Sequence, residues 1–298
     1  MTGRFAQPHS DMTTARVIVT RPAAEARLWV RQLKNAGIAA EAIPLIDIRP
    51  LSSPADVQLL RNAWEALEGC AACMFVSGNA VTHFFKKKKL FAQADRTQTA
   101  INNVANDKAA EIWPNVRFMA PGPGTVAALR SVGIAAPRID APALDASQFD
   151  SEALWQVIGS RDWSGRKVLI VRGQSAGVHG ASAGRDWIVR QWQGAGASVD
   201  VVSVYRRCAP DWDKARLQRV RQASADGSVW LFSSSEAVAN LVETAGLRGM
   251  GWQGARAVAT HPRIAQAVRA AGWGVVVESR PALADIRQAL GSVELRHP

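Results

Sequence analysis

Short runs of apolar and β-branched residues alternate along the chain with longer stretches in which apolar residues recur every three to four positions. The first pattern is typical of buried strands and the second of amphipathic helices. Together they favour an α/β protein whose parallel sheets are covered by helices on both faces. Strands are predicted at 16–20, 73–77, 116–120, 167–172, 198–205, 228–233, 255–260 and 274–279, and helices at 23–37, 123–133 and 261–272.

Three segments recur later in the chain, in the same order as their first occurrences. Each consists of a strand, a polar turn and the start of a helix, so the repetition predicts two similar α/β domains. The matched pairs are VIVTRP (17–22) with VLIVRG (168–173), FVSGNAV (75–81) with FSSSEAV (232–238), and MAPGPGTVAALRSVGI (119–134) with VATHPRIAQAVRAAGW (258–273).

Two further stretches, EAIPLIDIRPL at 41–51 and ASVDVVSVYRRCAP at 197–210, are predicted to be extended. If the first strand and helix belong with the C-terminal half, the chain crosses between domains at these two stretches. The alternative is two contiguous halves divided near 145–160. The hydrophobic pattern is compatible with both arrangements.

Composition narrows the functional classes. A chain of 298 residues with 48% hydrophobic content is long enough for two cores. Its 28 Arg and 8 Lys exceed the acidic residues by 11, and guanidinium groups suit carboxylate or phosphate partners. Three cysteines are too few for a disulfide framework, and no apolar stretch reaches the length of a membrane span. These features predict a soluble, cytoplasmic protein.

Polar residues cluster where predicted strands end and helices begin. Ligands of parallel sheets bind at such turns, where free N–H groups and the helix dipole attract anions. For each Ser or Thr at these turns the simpler interpretation is a helix cap. Three arginines at the turns, Arg21, Arg172 and Arg263, favour instead a site for a large polyanion. The candidate residues are Arg21, Ser77, Asn79, Thr125, Arg172, Ser233, Ser234, His261 and Arg263, with Thr20 and Thr260 beside them.

Other motifs carry less weight. Cys70 and Cys73 form a CxxC, but they lead into an apolar strand without a second pair, which favours structural thiols. His83 lies on a predicted helix face and is interpreted as structural. Lys86–Lys89 would surround a helix, which is more typical of a solvated surface than of a phosphate site. Dinucleotide, P-loop and metalloprotease motifs are absent from the sequence, so none of these signatures points to a cofactor or a metal.

The order of VIVTRP, PLIDIRP, FVSGNAV, GPGTVAALRSVGI, LIVRG, GASVDVVSVYRR, FSSSEAV and ATHPRIA resembles the uroporphyrinogen-III synthase family, from about 16 to 290. The resemblance implies two α/β domains joined by a two-stranded linker, with the active site in the cleft between them. It assigns residues 1–42 and 207–298 to one discontinuous domain and 50–198 to the other. Residues 43–49 and 199–206 would form the linker strands.

The resemblance also implies an activity: a lyase (hydro-lyase) that closes linear hydroxymethylbilane into uroporphyrinogen III. The terminal pyrrole is inverted through a spiro intermediate and water is lost, as a step of porphyrin and heme biosynthesis. It implies no cofactor, a substrate with eight carboxylates, a monomeric protein, and transient contact with the enzyme that makes the substrate. No nucleic acid or membrane is expected as a partner.

Residue roles follow from the same resemblance. Tyr205, the only tyrosine of the chain, matches the residue proposed in that family to assist hydroxyl departure. Thr125 matches a turn threonine near the substrate. The positions matched at the edge of the cleft are Ser77, Asn79, Ser234 and Arg263.

Two rival functions remain from the residues alone. One is a two-domain α/β protein that binds an anionic ligand without chemistry. The other is a nucleic-acid binder, suggested by the net charge of +11 and the lysine run. Against it, the sequence has no helix-turn-helix, zinc or RNA-binding motif.

Overall fold

The computed structural model of the protein describes residues 15–94, 113–175, 183–244 and 246–295. The chain divides into two compact units. Unit 1 combines Met1–Ile46 with Pro210–Pro298, and unit 2 consists of Asp47–Ala209. Unit 1 is therefore assembled from the two ends of the sequence, and unit 2 is inserted between them.

Both units contain strands and helices in alternation. The strands are β1 Val17–Val19, β2 Ala40–Ala42, β3 Asp47–Pro50, β4 Ala72–Phe75, β5 Arg117–Met119, β6 Ile139–Asp140, β7 Lys167–Ser175, β8 Ser198–Cys208, β9 Val229–Phe232, β10 Arg256–Ala259 and β11 Val275–Glu278. The helices are α1 Ala23–Asn35, α2 Pro54–Ala66, α3 Gly78–Ala94, α4 Pro123–Ser131, α5 Ser151–Ile158, α6 Ala183–Gly194, α7 Lys214–Ala223, α8 Ser235–Glu243, α9 Pro262–Ala270 and α10 Leu283–Leu295.

The sheet of unit 1 has the order β11-β10-β9-β1-β2, and every neighbouring pair is parallel. Val17–Val19 of the inner strand β1 is fully buried, since helices cover both faces of a parallel sheet. Apolar residues of α1 and α10 pack on one face, against side chains such as Val17 and Val19. On the other face, Trp230 makes edge contacts with Trp252 and Trp273, whose rings stack 4.2 Å apart.

The sheet of unit 2 has the order β3-β8-β7-β4-β5-β6. Side chains of β4 alternate between two buried clusters: Cys73 and Phe75 enter one, and Ala72 and Met74 enter the other. This alternation places apolar cores on both faces of the central strands. The motif turns therefore lie at the carboxyl ends of buried strands.

The repeated segments occupy corresponding strands of the two sheets. VIVTRP includes β1 and VLIVRG lies within β7. FVSGNAV and FSSSEAV begin at the last residue of β4 and β9, and the long pair begins at the end of β5 and β10. Adjacent strands run β1-β9-β10 in one sheet and β7-β4-β5 in the other. The repetition in the sequence thus corresponds to three neighbouring parallel strands in the same spatial order.

Strand β8 connects to two different partners. It pairs antiparallel with β3, Asp47 opposite Cys208 and Pro50 opposite Tyr205, beside the points where the chain passes between units. It also pairs parallel with β7, where the register shifts between Arg172 and Gly173. Arg172 faces Ser203 and Gly173 faces Tyr205, so β8 has one additional residue at this point.

The predicted α/β class with two parallel-dominated domains is confirmed. Every predicted strand and helix forms, with ends shifted by a few residues. The short edge strands β2 and β6 were not predicted as separate strands; β6 follows Pro137 closely and contains only two residues. In the described part of the chain no helix is both long and apolar enough to cross a membrane.

Candidate active site

Two hydroxyl groups meet in unit 2 at the carboxyl end of β4. The Oγ of Ser77 lies 3.0 Å from the phenol oxygen of Tyr205 on β8, and either atom can donate the hydrogen bond. The two residues are 128 positions apart in the sequence. Tyr205 is only 2% exposed, whereas Ser77 is half-buried. Of the pair, Ser77 is therefore the one nearer to solvent.

The ring of Tyr205 is enclosed by the core of unit 2. The imidazole of His83 lies 5.5 Å from it, centroid to centroid, at an angle of 34°. On the neighbouring strand β7 the opposite residue is Gly173, where an added Cβ would lie 2.3 Å from two ring carbons. The phenol consequently has little freedom to move.

Ser77 also begins helix α3. Its Oγ accepts a hydrogen bond from the backbone N–H of Ala80 at 3.2 Å, which is a regular N-cap contact. Asn79 lies in the first turn of this helix. The capping interpretation of Ser77 is therefore correct, and the same oxygen contacts Tyr205 as well.

The start of α3 touches the start of α4. A Cβ at Gly78 would lie 3.5 Å from the carbonyl oxygen of Gly124 and from the Cβ of Ala128. Thr125, 6% exposed, lies in the first turn of α4. Two helix N-termini thus lie side by side, and their free N–H groups and dipoles make this edge favourable for anions.

Arg172 is the positive side chain nearest to this edge along β7. It is half-buried and directly precedes the register shift, opposite Ser203. Because the shift ends next to Tyr205, Arg172 and the hydroxyl pair belong to the same part of unit 2.

Unit 1 has a comparable edge at the ends of β9 and β10. His261 caps α9, its Nδ1 accepting from the N–H of Arg263 at 3.1 Å, and the Arg263 side chain is exposed. When this imidazole is neutral, its proton is on Nε2. Ser234 is the N-cap residue of α8, and the Oγ of the preceding Ser233 is buried without a hydrogen-bond partner.

Arg21 is already engaged within unit 1. Its Nη1 lies 3.2 Å from Glu25 Oε2, and its guanidinium lies 5.0 Å from the centre of the Trp29 ring. Nearby, Thr20 donates its hydroxyl to the carbonyl of Leu231 at 2.7 Å, which gives this threonine a structural contact. Local pairing thus reduces the charge that Arg21 can offer to a ligand.

The CxxC thiols and the lysine run make no described contact with the strand ends that carry the candidate residues. Burial raises the pKa of Cys70, whose Sγ donates to the carbonyl of Ala66, and raises that of Cys73 further. Lys86 is exposed, and the side chains of 87–89 fall outside the described part of the structure. The CxxC thiols are therefore structural, as the sequence indicated.

Sequence reasoning did not anticipate two contributors to this site. His83, expected to be merely structural, contacts the Tyr205 ring, and Gly173 provides the space for that ring. Gly173 was visible as the glycine that ends VLIVRG, but its pairing with Tyr205 depends on the register shift. The periodicity of either strand does not contain that information.

The family model described as uroporphyrinogen-III synthase HemD matches residues 28–287. The chain belongs to this uroporphyrinogen-III synthase family. The match covers both units, including all the candidate turns except that of Arg21.

Solved structures of two synthases of this name are similar to this uroporphyrinogen-III synthase family member. A mutant uroporphyrinogen III synthase from the extremely thermophilic bacterium Thermus thermophilus matches with a TM-score of 0.55 at 13% identity, over 95% of this chain and 100% of that one. The uroporphyrinogen-III synthetase of Helicobacter pylori 26695 gives 0.49 at 11% identity, with 95% and 100% covered. At such identities the Thermus likeness supports the two-domain α/β fold alone.

Proposed function

We propose that this chain is a lyase that converts linear hydroxymethylbilane into uroporphyrinogen III, with loss of water and inversion of the terminal pyrrole. The observation that carries the proposal is the family match over residues 28–287. The hydroxyl pair of Tyr205 and Ser77, beside two helix N-termini, supports it because the reaction needs a proton donor near sites for carboxylates.

The first step is departure of the hydroxymethyl oxygen as water, which requires a proton. Ser77 Oγ accepts a hydrogen bond from the Ala80 N–H and forms a second one with the phenol oxygen of Tyr205. One of the two hydroxyl protons forms the bond between Ser77 and Tyr205. If Ser77 donates to the phenol, the phenol proton is available; if Tyr205 donates, the serine proton is available. In both arrangements the pair offers one proton to the leaving oxygen.

Loss of water leaves a cation delocalised into a pyrrole nitrogen. The far end of the linear tetrapyrrole attacks this cation and forms a spiro intermediate. The intermediate then fragments and closes again with the last ring turned over. A final proton loss restores the aromatic pyrrole, so the proton consumed at the start is returned. Since unassisted closure gives the uninverted isomer I, the protein's main contribution is to fold the chain and direct the attack.

Substrate carboxylates are proposed to bind at the helix N-termini of both units. In unit 2 these are the starts of α3 and α4, with Asn79, Thr125 and Arg172 close by in the sequence or fold. In unit 1 the corresponding positions are Ser233, Ser234, His261 and Arg263. Arg21 would have to exchange Glu25 for a substrate carboxylate.

The decisive experiment supplies hydroxymethylbilane, oxidises the products and compares isomers III and I by chromatography. Wild-type protein is expected to give isomer III, whereas production of isomer I at the spontaneous rate would contradict the proposal. Tyr205→Phe is expected to lower kcat by about 10²-fold, the lower end for general acid catalysis, while the fold is kept.

Ser53→Ala serves as a matched control for Ser77→Ala, which removes both a helix cap and the hydroxyl that contacts Tyr205. Ser53 caps α2 in the same unit, accepting the Asp56 N–H at 3.1 Å, and is exposed. Its removal tests the loss of a serine cap without loss of the Tyr205 partner. Tight binding of the tetrapyrrole without faster ring closure would instead indicate an anion-binding protein.

A further inference from the structure

The residue opposite Tyr205 is determined by an irregularity in the sheet. Strands β7 and β8 stay in register up to Arg172 and Ser203, and the next pair is Gly173 with Tyr205. The additional residue in β8 is Val204, and Val202, Val204 and Tyr205 all pack into the same core cluster. Strict alternation would have separated the last two. Such bulges commonly redirect a side chain near an active site.

The redirected ring occupies the space that a side chain at position 173 would need. A Cβ on Gly173 would lie 2.3 Å from Cε2 and Cζ of Tyr205 and 2.7 Å from its hydroxyl oxygen. Normal carbon–carbon contacts begin near 3.5 Å, so the ring would have to move by about 1.2 Å. Because Tyr205 is 2% exposed and packs beside His83, it has no open space to move into.

Backbone conformation does not explain the glycine. Seven glycines of the described chain have a positive φ, and Gly173 is not one of them. Glycine also weakens the interior of a strand. A glycine found there therefore normally marks a bulge or the close approach of another group. Here the group that approaches is the phenol ring.

We infer that Gly173 is a positioning residue for the ring-closing reaction: its missing side chain, together with the bulge, holds the Tyr205 hydroxyl against Ser77. The inference rests on the proposed function, because it gives a catalytic meaning to the phenol's position. It does not require Gly173 to touch the substrate. The prediction is that a single methyl group at position 173 separates the two hydroxyls.

The first test observes the phenol directly. Since Tyr205 is the only tyrosine, protein labelled with ¹³C at tyrosine Cζ gives one resonance that reports on the hydroxyl's hydrogen bond. Gly173→Ala is expected to shift this resonance, and adding Ser77→Ala should then cause no further shift. In the wild-type background, Ser77→Ala alone should shift it. An unmoved resonance in Gly173→Ala would overturn the inference.

The control for the added methyl is Gly69→Ala. Gly69 lies in unit 2, has no positive φ, and a Cβ there would meet no atom within 4 Å. This variant is expected to leave both the resonance and the activity unchanged. A shift of equal size would show that any added methyl perturbs the tyrosine, and would also overturn the inference.

The second test measures turnover. Gly173→Ala is expected to lower kcat by about 10²-fold with little change in KM, since misplacement of a catalytic group by about 1 Å has an effect of this size. Combined with Tyr205→Phe, it should cause no further loss. Multiplicative losses would overturn the inference. If wild-type protein forms no isomer III, the proposed function fails while the resonance still tests the contact.

A paired variant covers the case in which Gly173→Ala does not fold. Tyr205→Val keeps a strand-forming residue but has no atoms at the Cε2, Cζ and hydroxyl positions that a Cβ on residue 173 would meet. Gly173→Ala combined with Tyr205→Val is then expected to recover the folded circular-dichroism spectrum. If the pair fails to fold while Tyr205→Val alone folds, the conflict lies elsewhere and the inference is wrong.

Discussion

Replacing Asp140 by asparagine is expected to lower the free energy of unfolding of unit 2 by about 2 to 3 kcal/mol at pH 7. The Asp140 carboxylate is 6% exposed and accepts four hydrogen bonds from two guanidinium groups. Arg117 donates at 3.0 and 2.5 Å, and Arg161 donates at 2.7 and 2.8 Å. These bonds join Asp140, on strand β6, to strand β5 and to the loop after α5.

The magnitude follows from counting these bonds. Each guanidinium donates to both carboxylate oxygens. The oxygen of an asparagine would keep one bond from each arginine, but its NH₂ would face the second donor of each, so two bonds are lost. Bonds to charged groups contribute about 1.5–3 kcal/mol each. Two such bonds would contribute about 3 to 6 kcal/mol. Because the side chains of Arg117 and Arg161 are 42% and 35% exposed, water replaces part of that loss, which brings the expected value to about 2 to 3 kcal/mol.

The assay is urea unfolding followed by circular dichroism, with hydrogen exchange of β5 and β6 amides assigning the effect to unit 2. Asp145→Asn is the control, because Asp145 is exposed in the same unit. It is expected to change stability by less than about 0.5 kcal/mol. An unfolding midpoint in Asp140→Asn equal to that of the wild type would refute the reasoning.

Acid provides a second check on the same residue. Burial opposes ionisation of Asp140, but hydrogen bonds from Arg161 and Arg117 outweigh it and hold its pKa below the ordinary 3.8. A lowered folded-state pKa gives stability that is present above the unfolded value and lost as pH falls through the folded value. The difference between wild type and Asp140→Asn should therefore shrink below about pH 4. A constant difference would contradict the ionic explanation.

Two further changes have defined outcomes. Thr20→Val should lower the free energy of unfolding of unit 1 by about 1 kcal/mol, because the Leu231 carbonyl loses its bond from a buried hydroxyl. Urea unfolding measures this change, and an unchanged midpoint would contradict it. Cys70 and Cys73 should react with a disulfide reagent at least about tenfold more slowly than the half-buried Cys208, because burial raises their pKa values. Mass spectrometry of singly modified protein shows which cysteine reacts first. Equal rates for the three cysteines in the folded protein, before urea is added, would refute this prediction.

The sequence was most informative where strands are buried on both faces. β4 and β9 read as continuous apolar runs because neighbouring helices cover both sides of the sheet, and both were predicted within two residues of their observed ends. The repeated segments likewise predicted strands that proved to have the same spatial order. The local pattern of apolar residues is sufficient to predict these strands because burial alone determines that pattern.

Contacts between distant residues were not predictable in this way. Ser77 and Tyr205 are 128 positions apart, and Gly173 faces Tyr205 only because β8 has an additional residue. Asp140 is an isolated acidic residue in the sequence, and its partners come from β5 and a separate loop. Periodicity identifies which face of a strand is buried, but it does not contain the register between strands.

The division of unit 1 between the two ends of the chain has a consequence for biosynthesis. Strand β1 pairs with β2, which follows closely, and with β9, where Val17 faces Val229. At roughly 5–20 residues per second, the ribosome needs about 10 to 40 s between making these two residues. Throughout that interval, while the whole of unit 2 is made, one edge of β1 has no partner. Unit 2 can therefore complete its sheet first, and the sheet of unit 1 can close around β1 only after β9 has been synthesised.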